Sequence, residues 1–240
     1  MRCFASSLAL VMLIGMSTGV SADDLHECTD PDPQVRVAAC TRVLSTNPSE
    51  FSALVNRAIA YRISGDYVRA LADLETAMRM APHYGLYHER GMVLARMGRN
   101  AAALRDFNVA LRSNASLVQA YFERAMVYEE IGQHELAKAD IESALRRDVK
   151  FVAGLYADRG QRLMKEGHYE KAIAAFDQSI DIYPNWPSTY FDRGTAHEAA
   201  GNRELAIADY RKALQFQAIH ELQRRSQQSA RERLAMLSAG

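Results

Sequence analysis

The chain has 240 residues, of which 48% are hydrophobic, and this is enough for a sizeable folded core. Its 29 basic residues balance its 29 acidic residues, so the formal net charge is zero. This balance gives no bulk electrostatic reason to expect a nucleic acid partner, although it leaves a local charged patch open.

The first 22 residues are typical of a secretory signal peptide. Arg2 supplies a positive start, residues 8–16 form an apolar run, and residues 20–22 offer a cleavage site. We therefore expect a signal peptide at 1–22 and a mature chain in the periplasm or secreted, with no membrane insertion after the signal is removed. The alternative is an uncleaved anchor, because the uncharged stretch is long enough, although its apolar centre is short for a membrane span.

Two cysteines follow the signal, Cys28 and Cys40. An even pair in an exported chain favours a disulfide, and the chain-entropy model gives a loop of this size about 3 kcal/mol of stabilisation. The alternative is two unpaired thiols, with Cys40 filling an apolar position. The spacing is not Cys-x-x-Cys, so we expect no redox catalysis.

A glycine then recurs at spacings of 33, 34, 35 and 34 residues, at Gly65, Gly98, Gly132, Gly167 and Gly201. With each glycine at position 15, five repeats fall at residues 51–83, 84–117, 118–152, 153–186 and 187–217. Position 20 is always alanine: Ala70, Ala103, Ala137, Ala172 and Ala206. Such a period predicts stacked helical hairpins, with glycine at each reversal and small residues where two helices approach closely.

This pattern resembles that of the tetratricopeptide repeat family over about residues 51–217. The resemblance implies an all-α, right-handed superhelical solenoid of about five hairpins that binds other molecules on its concave surface. The chain departs from the family at position 32, where proline is usual. Pro82 and Pro184 occupy it in two repeats, whereas the others have Ala115, Val149 and Ala218.

The flanking segments are interpreted as caps. Placing Pro48 at position 32 makes residues 33–47 half of a repeat, so residues 23–50 are predicted to form a disulfide-tethered N-terminal half-repeat. In residues 218–240 one helical stripe is apolar, which predicts a C-terminal capping helix. A partner helix that docks on this basic end is the alternative. The stripe consists of Ile219, Leu222, Ala230, Leu234 and Leu237.

The resemblance also places candidate binding residues on the first helix of each repeat, at positions 2, 5, 6, 9, 12 and 13. The predicted groove residues are Asn56, His88, Met92, Phe122, Met126, Gln161 and Phe191. A groove with Met and Phe at its centre suits an extended peptide or an amphipathic helix. The alternative for each residue is ordinary packing between hairpins. Positions 2 and 5 carry no Lys or Arg, so the family's carboxylate clamp is not predicted.

Position 7 is arginine in every repeat, namely Arg57, Arg90, Arg124, Arg159 and Arg193. Position 23, which should lie opposite, is Asp73, Asp106, Asp140, Ala175 and Asp209. We therefore expect internal arginine–aspartate pairs in four repeats, and the alternative is an arginine stripe for a polyanion. In the fourth repeat Arg159 lacks its aspartate and has only Asp177 nearby, so we add Arg159 to the predicted binding residues.

No catalytic motif accompanies the repeats. The histidines are scattered without an i, i+4 metal pair, and neither a phosphate loop nor a Gly-x-Ser-x-Gly elbow occurs. We expect no enzyme activity, no cofactor, no metal and no small-molecule substrate. The predicted function is a non-enzymatic scaffold or adaptor of the cell envelope that grips a peptide or helix of a protein partner in its concave groove. The alternative is a periplasmic maturation chaperone that holds unfolded exported polypeptides.

Overall fold

The computed structural model describes residues 22–217 and 221–238, which form thirteen helices and no strand. The predicted all-helical architecture is therefore confirmed. Residues 1–21 of the predicted signal peptide lie outside the described residues, as do residues 218–220 and 239–240 of the predicted cap. The chain divides between Val93 and Leu94 into two compact parts, here called the N-terminal part and the C-terminal part.

Within each compact part, consecutive helices pack against one another. The first five are α1 Ala22–Glu27, α2 Pro33–Thr46, α3 Phe51–Ile63, α4 Tyr67–Met80 and α5 Tyr84–Arg96, the last of which crosses the division. The next four are α6 Asn100–Ser113, α7 Val118–Glu130, α8 His134–Leu145 and α9 Val149–Lys165. The last four are α10 Tyr169–Ile182, α11 Pro187–Ala199, α12 Arg203–Leu214 and α13 Glu221–Ser238.

The recurring glycines end the first helix of each pair in a left-handed conformation. All five have positive φ, from 70° at Gly98 to 82° at Gly65. At Gly132 the following residue closes the helix end, because the N–H of Gln133 donates to the carbonyl of Tyr128 at 2.8 Å. A side chain with a Cβ would be strained in this conformation, which explains why the period of the sequence is carried by glycine.

In the N-terminal part, α1 and the following turn are tied to α2. The sulfur atoms of Cys28 and Cys40 lie 2.08 Å apart, which is a disulfide distance, and both residues are buried. Arg42 of α2 adds ion pairs to Asp24 at 2.5 Å and Glu27 at 2.6 Å. Helix α2 in turn packs against α3. The half-repeat thus covers an apolar face of the first complete hairpin.

In the C-terminal part, small residues let the helices of each hairpin approach and large ones fill the remaining space. Ala137, Ala172 and Ala206 at position 20 are at most 1% exposed. The rings of Phe176 and Tyr210, at position 24, are fully buried. This is the arrangement that the alternation of small and large residues predicts.

Helix α9 begins earlier than the repeat boundary predicts. It starts at Val149 and has 17 residues, whereas the first helices of the other hairpins have 13. Val149 stands where two other repeats have proline, so no ring forces a break there. Asp148 stabilises the new start because its side chain accepts a hydrogen bond from the Phe151 N–H at 2.9 Å.

The last helix, α13, packs against both α11 and α12. Ala230 is fully buried against Ala206 and Tyr210, and Leu234 and Leu237 pack around this cluster. The amide of Gln227 donates to the carbonyl of Ala213 at 2.9 Å and to that of Phe216 at 2.7 Å. Helix α13 therefore satisfies carbonyls at and beyond the end of α12 and covers its apolar face; Ile219 of the predicted stripe lies outside the described residues.

Two glycines of α9 allow a matched test of hairpin packing. A Cβ at Gly160 would lie 2.5 Å from Cε1 of the buried Phe176, but one at Gly154 would lie 3.5 Å from Trp186. We expect Gly160→Ala to lower the free energy of unfolding by about 1–3 kcal/mol through overpacking. Gly154→Ala should leave it unchanged or raise it by up to about 1 kcal/mol. Urea denaturation measures both, and equal stabilities for the two variants would contradict this packing.

Candidate functional site

Three of the predicted groove residues are buried. His88 is 5%, Met92 3% and Phe122 2% exposed. The ring of Phe122 packs edge-on against Tyr156, with 4.8 Å between ring centroids. Burial and the charge of Arg62 lower the pKa of His88 to about 4, so its ring is neutral at ordinary pH. These side chains have the packing environment of the alternative interpretation, and their role in binding stays a prediction.

The other predicted groove residues retain exposed surface. Asn56 in the N-terminal part and Met126 in the C-terminal part are half-buried. Gln161 is exposed, and its Nε2 donates to Oδ2 of Asp192 at 2.8 Å, which joins α9 to α11. Phe191 is half-buried, with its ring centroid 5.7 Å from that of Tyr210. The structure thus brings Gln161 and Phe191 close to one site.

That site is an open cleft of about 560 Å³ between α9, α11 and α13, here called the C-terminal cleft. Met164, Phe191 and Met236 give it apolar walls. Its polar and charged groups include Gln161, Lys165, Asp192 and Glu232. Met236 is 65% exposed, so most of its thioether side chain is open to solvent at the edge of the cleft. Sequence reasoning weighed the apolar stripe of α13 and a partner docking on its basic end, and it did not predict that this helix lines a cleft with α9 and α11. The signal was present in Met236, which lies off the stripe.

The carboxyl group of Asp192 is the electrostatically unusual group of the C-terminal cleft. Burial raises its pKa to about 6, against the opposing effect of the hydrogen bond from Gln161. Arg233 also lines the cleft, but it pairs with Glu198 at 3.3 Å. Asp192 is therefore an acceptor without a cationic partner among the described residues, and a basic group of a ligand would stabilise its charge.

The arginines at position 7 form the predicted internal pairs in three repeats. In each, Nε and Nη2 donate to both oxygens of the position-23 aspartate at 2.6–2.8 Å. The pairs are Arg57–Asp73, Arg124–Asp140 and Arg193–Asp209. The remaining predicted pair, Arg90 and Asp106, has one member in each compact part and stays a prediction.

The same arginines also bond to the preceding repeat, which sequence reasoning did not predict. Nη1 of Arg57 donates to Thr41 Oγ1 at 3.2 Å. Nη1 of Arg124 donates to Asn108 Oδ1 at 2.5 Å, and Nη1 of Arg193 donates to Asp177 Oδ1 at 2.6 Å. All three acceptors occupy position 25 of the repeat before. One guanidinium therefore joins two helices of its own repeat to a helix of the previous one.

The fourth repeat breaks this arrangement. Asp177, expected near Arg159, is instead bonded to Arg193. Among the described residues Arg159 forms no hydrogen bond and no ion pair. It lines a cavity of about 570 Å³ between α7, α8, α9 and α10, together with Ala175, and we call this space the Arg159 cavity. Burial lowers the pKa of Arg159, as expected for a guanidinium without a bonded acid.

Other kinds of site are not found in the described ranges. Residues 22–217 and 221–238 contain no group of three or more His, Cys, Asp or Glu side chains placed to hold a metal ion. None of the helices in these ranges has both the length and the apolar character needed to cross a bilayer.

Comparison with known families supports the resemblance found in the sequence. Models of the tetratricopeptide repeat match residues 118–148, 153–186 and 187–220. These matches support the assignment of these residues to tetratricopeptide repeats. No curated protein matches the chain.

Solved structures show the same fold at low sequence identity. A tetratricopeptide repeat protein from Parabacteroides merdae is 16% identical, with a TM-score of 0.51 over 88% of this chain and 97% of that one. A chain of the APC/C hetero-tetramer Cut9–Hcn1 is 17% identical, with a TM-score of 0.52 over 82% of this chain and 39% of that one. YrrB, described as having an unusual peptide-binding site, is 21% identical with a TM-score of 0.46, over 80% and 99% of the two chains.

The arginine pairs predict a contrast between buried and exposed charges. Asp209→Ala should lower the free energy of unfolding by about 2 kcal/mol, because it leaves the half-buried Arg193 with Asp177 alone. Glu221→Ala removes two exposed pairs, with Arg224 and Arg225, and should cost only about 0.5 kcal/mol. Chemical denaturation of both variants measures the difference. Similar losses would show that the internal pairs do not bear on stability.

The raised pKa of Asp192 predicts a pH-dependent effect of Asp192→Asn. At pH 4 the folded carboxyl is neutral and the unfolded one is about half ionised, so the variant should be more stable than the parent by only about 0.5 kcal/mol. Above about pH 6 the folded parent must bury a charge, and the variant should be more stable by about 2 kcal/mol. Urea denaturation at pH 4 and 7.5 measures this. The control Asp181→Asn, at an exposed position, should show no such change with pH, and a pH-independent effect of Asp192→Asn would refute the raised pKa.

Proposed function

We propose that the protein is an exported, non-enzymatic adaptor of the cell envelope that binds a segment of a partner protein in the C-terminal cleft. The observation that carries the proposal is the cleft of about 560 Å³, which combines apolar walls with an unpaired acid. The fold supports it as well, because helical repeats of this kind hold other molecules on extended surfaces. The matches to tetratricopeptide repeat models agree with protein binding as the general role.

The size and lining of the cleft indicate what it can hold. A volume of about 560 Å³ accommodates a few side chains of a helix or an extended segment. Met164, Phe191 and Met236 would receive apolar side chains, and methionine adapts its shape to different partners. Asp192 would favour a lysine or arginine next to them. The proposed ligand is therefore an amphipathic segment with a basic residue beside its apolar ones.

Export is proposed from the N-terminal sequence and from the cysteines. Residues 1–22 have the charge and apolar pattern of a signal peptide. The even pair of cysteines that follows this segment, Cys28 and Cys40, agrees with an oxidising compartment, because disulfides are rare where thiols are kept reduced.

A maturation chaperone is the second candidate. The two methionines of the cleft, Met164 and Met236, favour it, since flexible thioether side chains are common on surfaces that bind many sequences. The two functions differ in the number of partners, and this number can be measured.

Site-specific crosslinking distinguishes these functions. A photoreactive residue replaces Met236 in the cleft or, as a matched control, Leu205 on α12, and both positions are more than half exposed. In cells that produce the protein, we expect one discrete envelope protein to crosslink at position 236 and not at 205. Met236→Asp should reduce copurification of that protein at least tenfold, and Leu205→Asp should leave it unchanged.

Each other outcome is also decisive. Many unrelated exported chains crosslinked at position 236 would favour the chaperone over the adaptor. Equal crosslinking at the two positions would overturn the cleft as the binding site. Recovery of the protein only with cytoplasmic markers after cell fractionation would overturn export.

A further inference from the structure

Arg159 has the sequence context of a paired arginine but not the partners. In three other repeats the equivalent guanidinium binds both oxygens of a position-23 aspartate and one acceptor at position 25 of the preceding repeat. At Arg159 these two positions hold Ala175 and Glu142. Within the described residues Arg159 is bonded to neither of the acids that line its cavity, Glu129 and Glu142.

Those two acids are engaged elsewhere. Glu129 lies 2.7 Å from Nδ1 of His134, and Glu142 lies 3.9 Å from Nη1 of Arg146. The cavity also receives Lys138 and Lys171, which form no ion pair among the described residues. Three cations and two acids thus line one space, and neither acid is bonded to Arg159, so the lining has a small formal excess of positive charge that favours an anion beside Arg159.

The remaining lining defines the rest of the ligand. Met126, Ile141 and Tyr156 form apolar walls, and Ala175 leaves room where an aspartate side chain stands in other repeats. A compact anion with a flat, two-oxygen end fits the Nε and Nη2 edge of the guanidinium. A phosphate dianion fits less well, because its desolvation beside apolar walls costs more.

We infer that the Arg159 cavity is a second binding site, which accepts a carboxylate carried on an apolar group. The ligand carboxylate takes the place that Asp73, Asp140 and Asp209 occupy beside their arginines. This site differs in position and lining from the C-terminal cleft, and it also differs from the carboxylate clamp sought at positions 2 and 5. The inference therefore stands whether or not the cleft binds a partner.

The test uses sodium hexanoate as the probe and the purified protein. Isothermal titration and the melting temperature report binding, with sodium chloride at equal ionic strength and neutral hexanamide as controls. We expect hexanoate to bind and to raise the melting temperature, and hexanamide to do neither. Arg159→Gln should weaken hexanoate binding about tenfold or more, because it removes a charge-assisted pair.

Two further variants make the test specific. Ala175→Asp supplies the missing carboxylate within the chain, so it should raise the melting temperature without ligand and abolish hexanoate binding. Arg211→Gln removes an exposed guanidinium from α12 and should leave binding unchanged. If Ala175→Asp does not fold, the comparison of Arg159→Gln with Arg211→Gln still decides. Hexanoate binding that survives Arg159→Gln, or that is absent from the parent, would overturn the inference.

A peptide arm identifies the source of the carboxylate. A blocked Leu-Glu-Leu tripeptide is compared with Leu-Gln-Leu in the same titration. Binding of Leu-Glu-Leu that depends on Arg159 would assign the site to an acidic residue of a protein ligand. Binding of hexanoate alone would assign it to a free acid. Met236→Asp in the C-terminal cleft should change neither result, so failure of the cleft and failure of this site are distinguishable.

Discussion

The structure depends on one recurring interaction, the arginine at position 7 of the repeat. Its guanidinium has one edge for a carboxylate and a further nitrogen for a second acceptor, and the repeat uses both. Arg193 bonds to Asp209 in its own hairpin and to Asp177 in the preceding one. A lysine has no such planar fork, so it could not make these three bonds with the same geometry. Because the pairs are largely removed from water, loss of one partner leaves a costly charge behind.

The same dependence explains why the fourth repeat differs from its neighbours. Ala175 removes the acid from Arg159, and Asp177 is bonded to Arg193 instead. The preceding repeat supplies Glu142, which lines the space but pairs with Arg146. Apolar contacts still hold α9 and α10 together, with Phe176 buried against Ala172 and Leu163. The missing pair therefore leaves a cavity beside a hairpin that is still packed. The packing of this repeat does not depend on whether Arg159 has a partner.

The sequence predicted the hairpins and their reversals because each depends on a local rule: glycine at position 15 adopts positive φ, and alanine at position 20 is buried. It also predicted the pairs within hairpins, since positions 7 and 23 lie opposite about a known turn. It did not predict the bonds to position 25, because these depend on how consecutive hairpins stack. For the same reason it assigned Asp177 to Arg159. Phe122 and Phe191 both occupy position 5 of their repeats, yet Phe122 is buried, with its ring edge-on to Tyr156, whereas Phe191 is only half-buried.

Both candidate sites lie where the regular repeat stops. In the C-terminal cleft, α13 replaces the next hairpin; its Ala230 satisfies the packing of α12, while Met236 remains exposed beside Asp192. At the Arg159 cavity, an alanine replaces the acid that the position-7 arginine binds in three other hairpins. In three of the repeats the guanidinium at position 7 is fully engaged by its own repeat and the preceding one, so it is not left for a ligand. An interruption releases such groups without unfolding the hairpins that carry them, because the apolar contacts persist. In both proposals, binding therefore depends on departures from the repeat, whereas stability depends on the repeat itself.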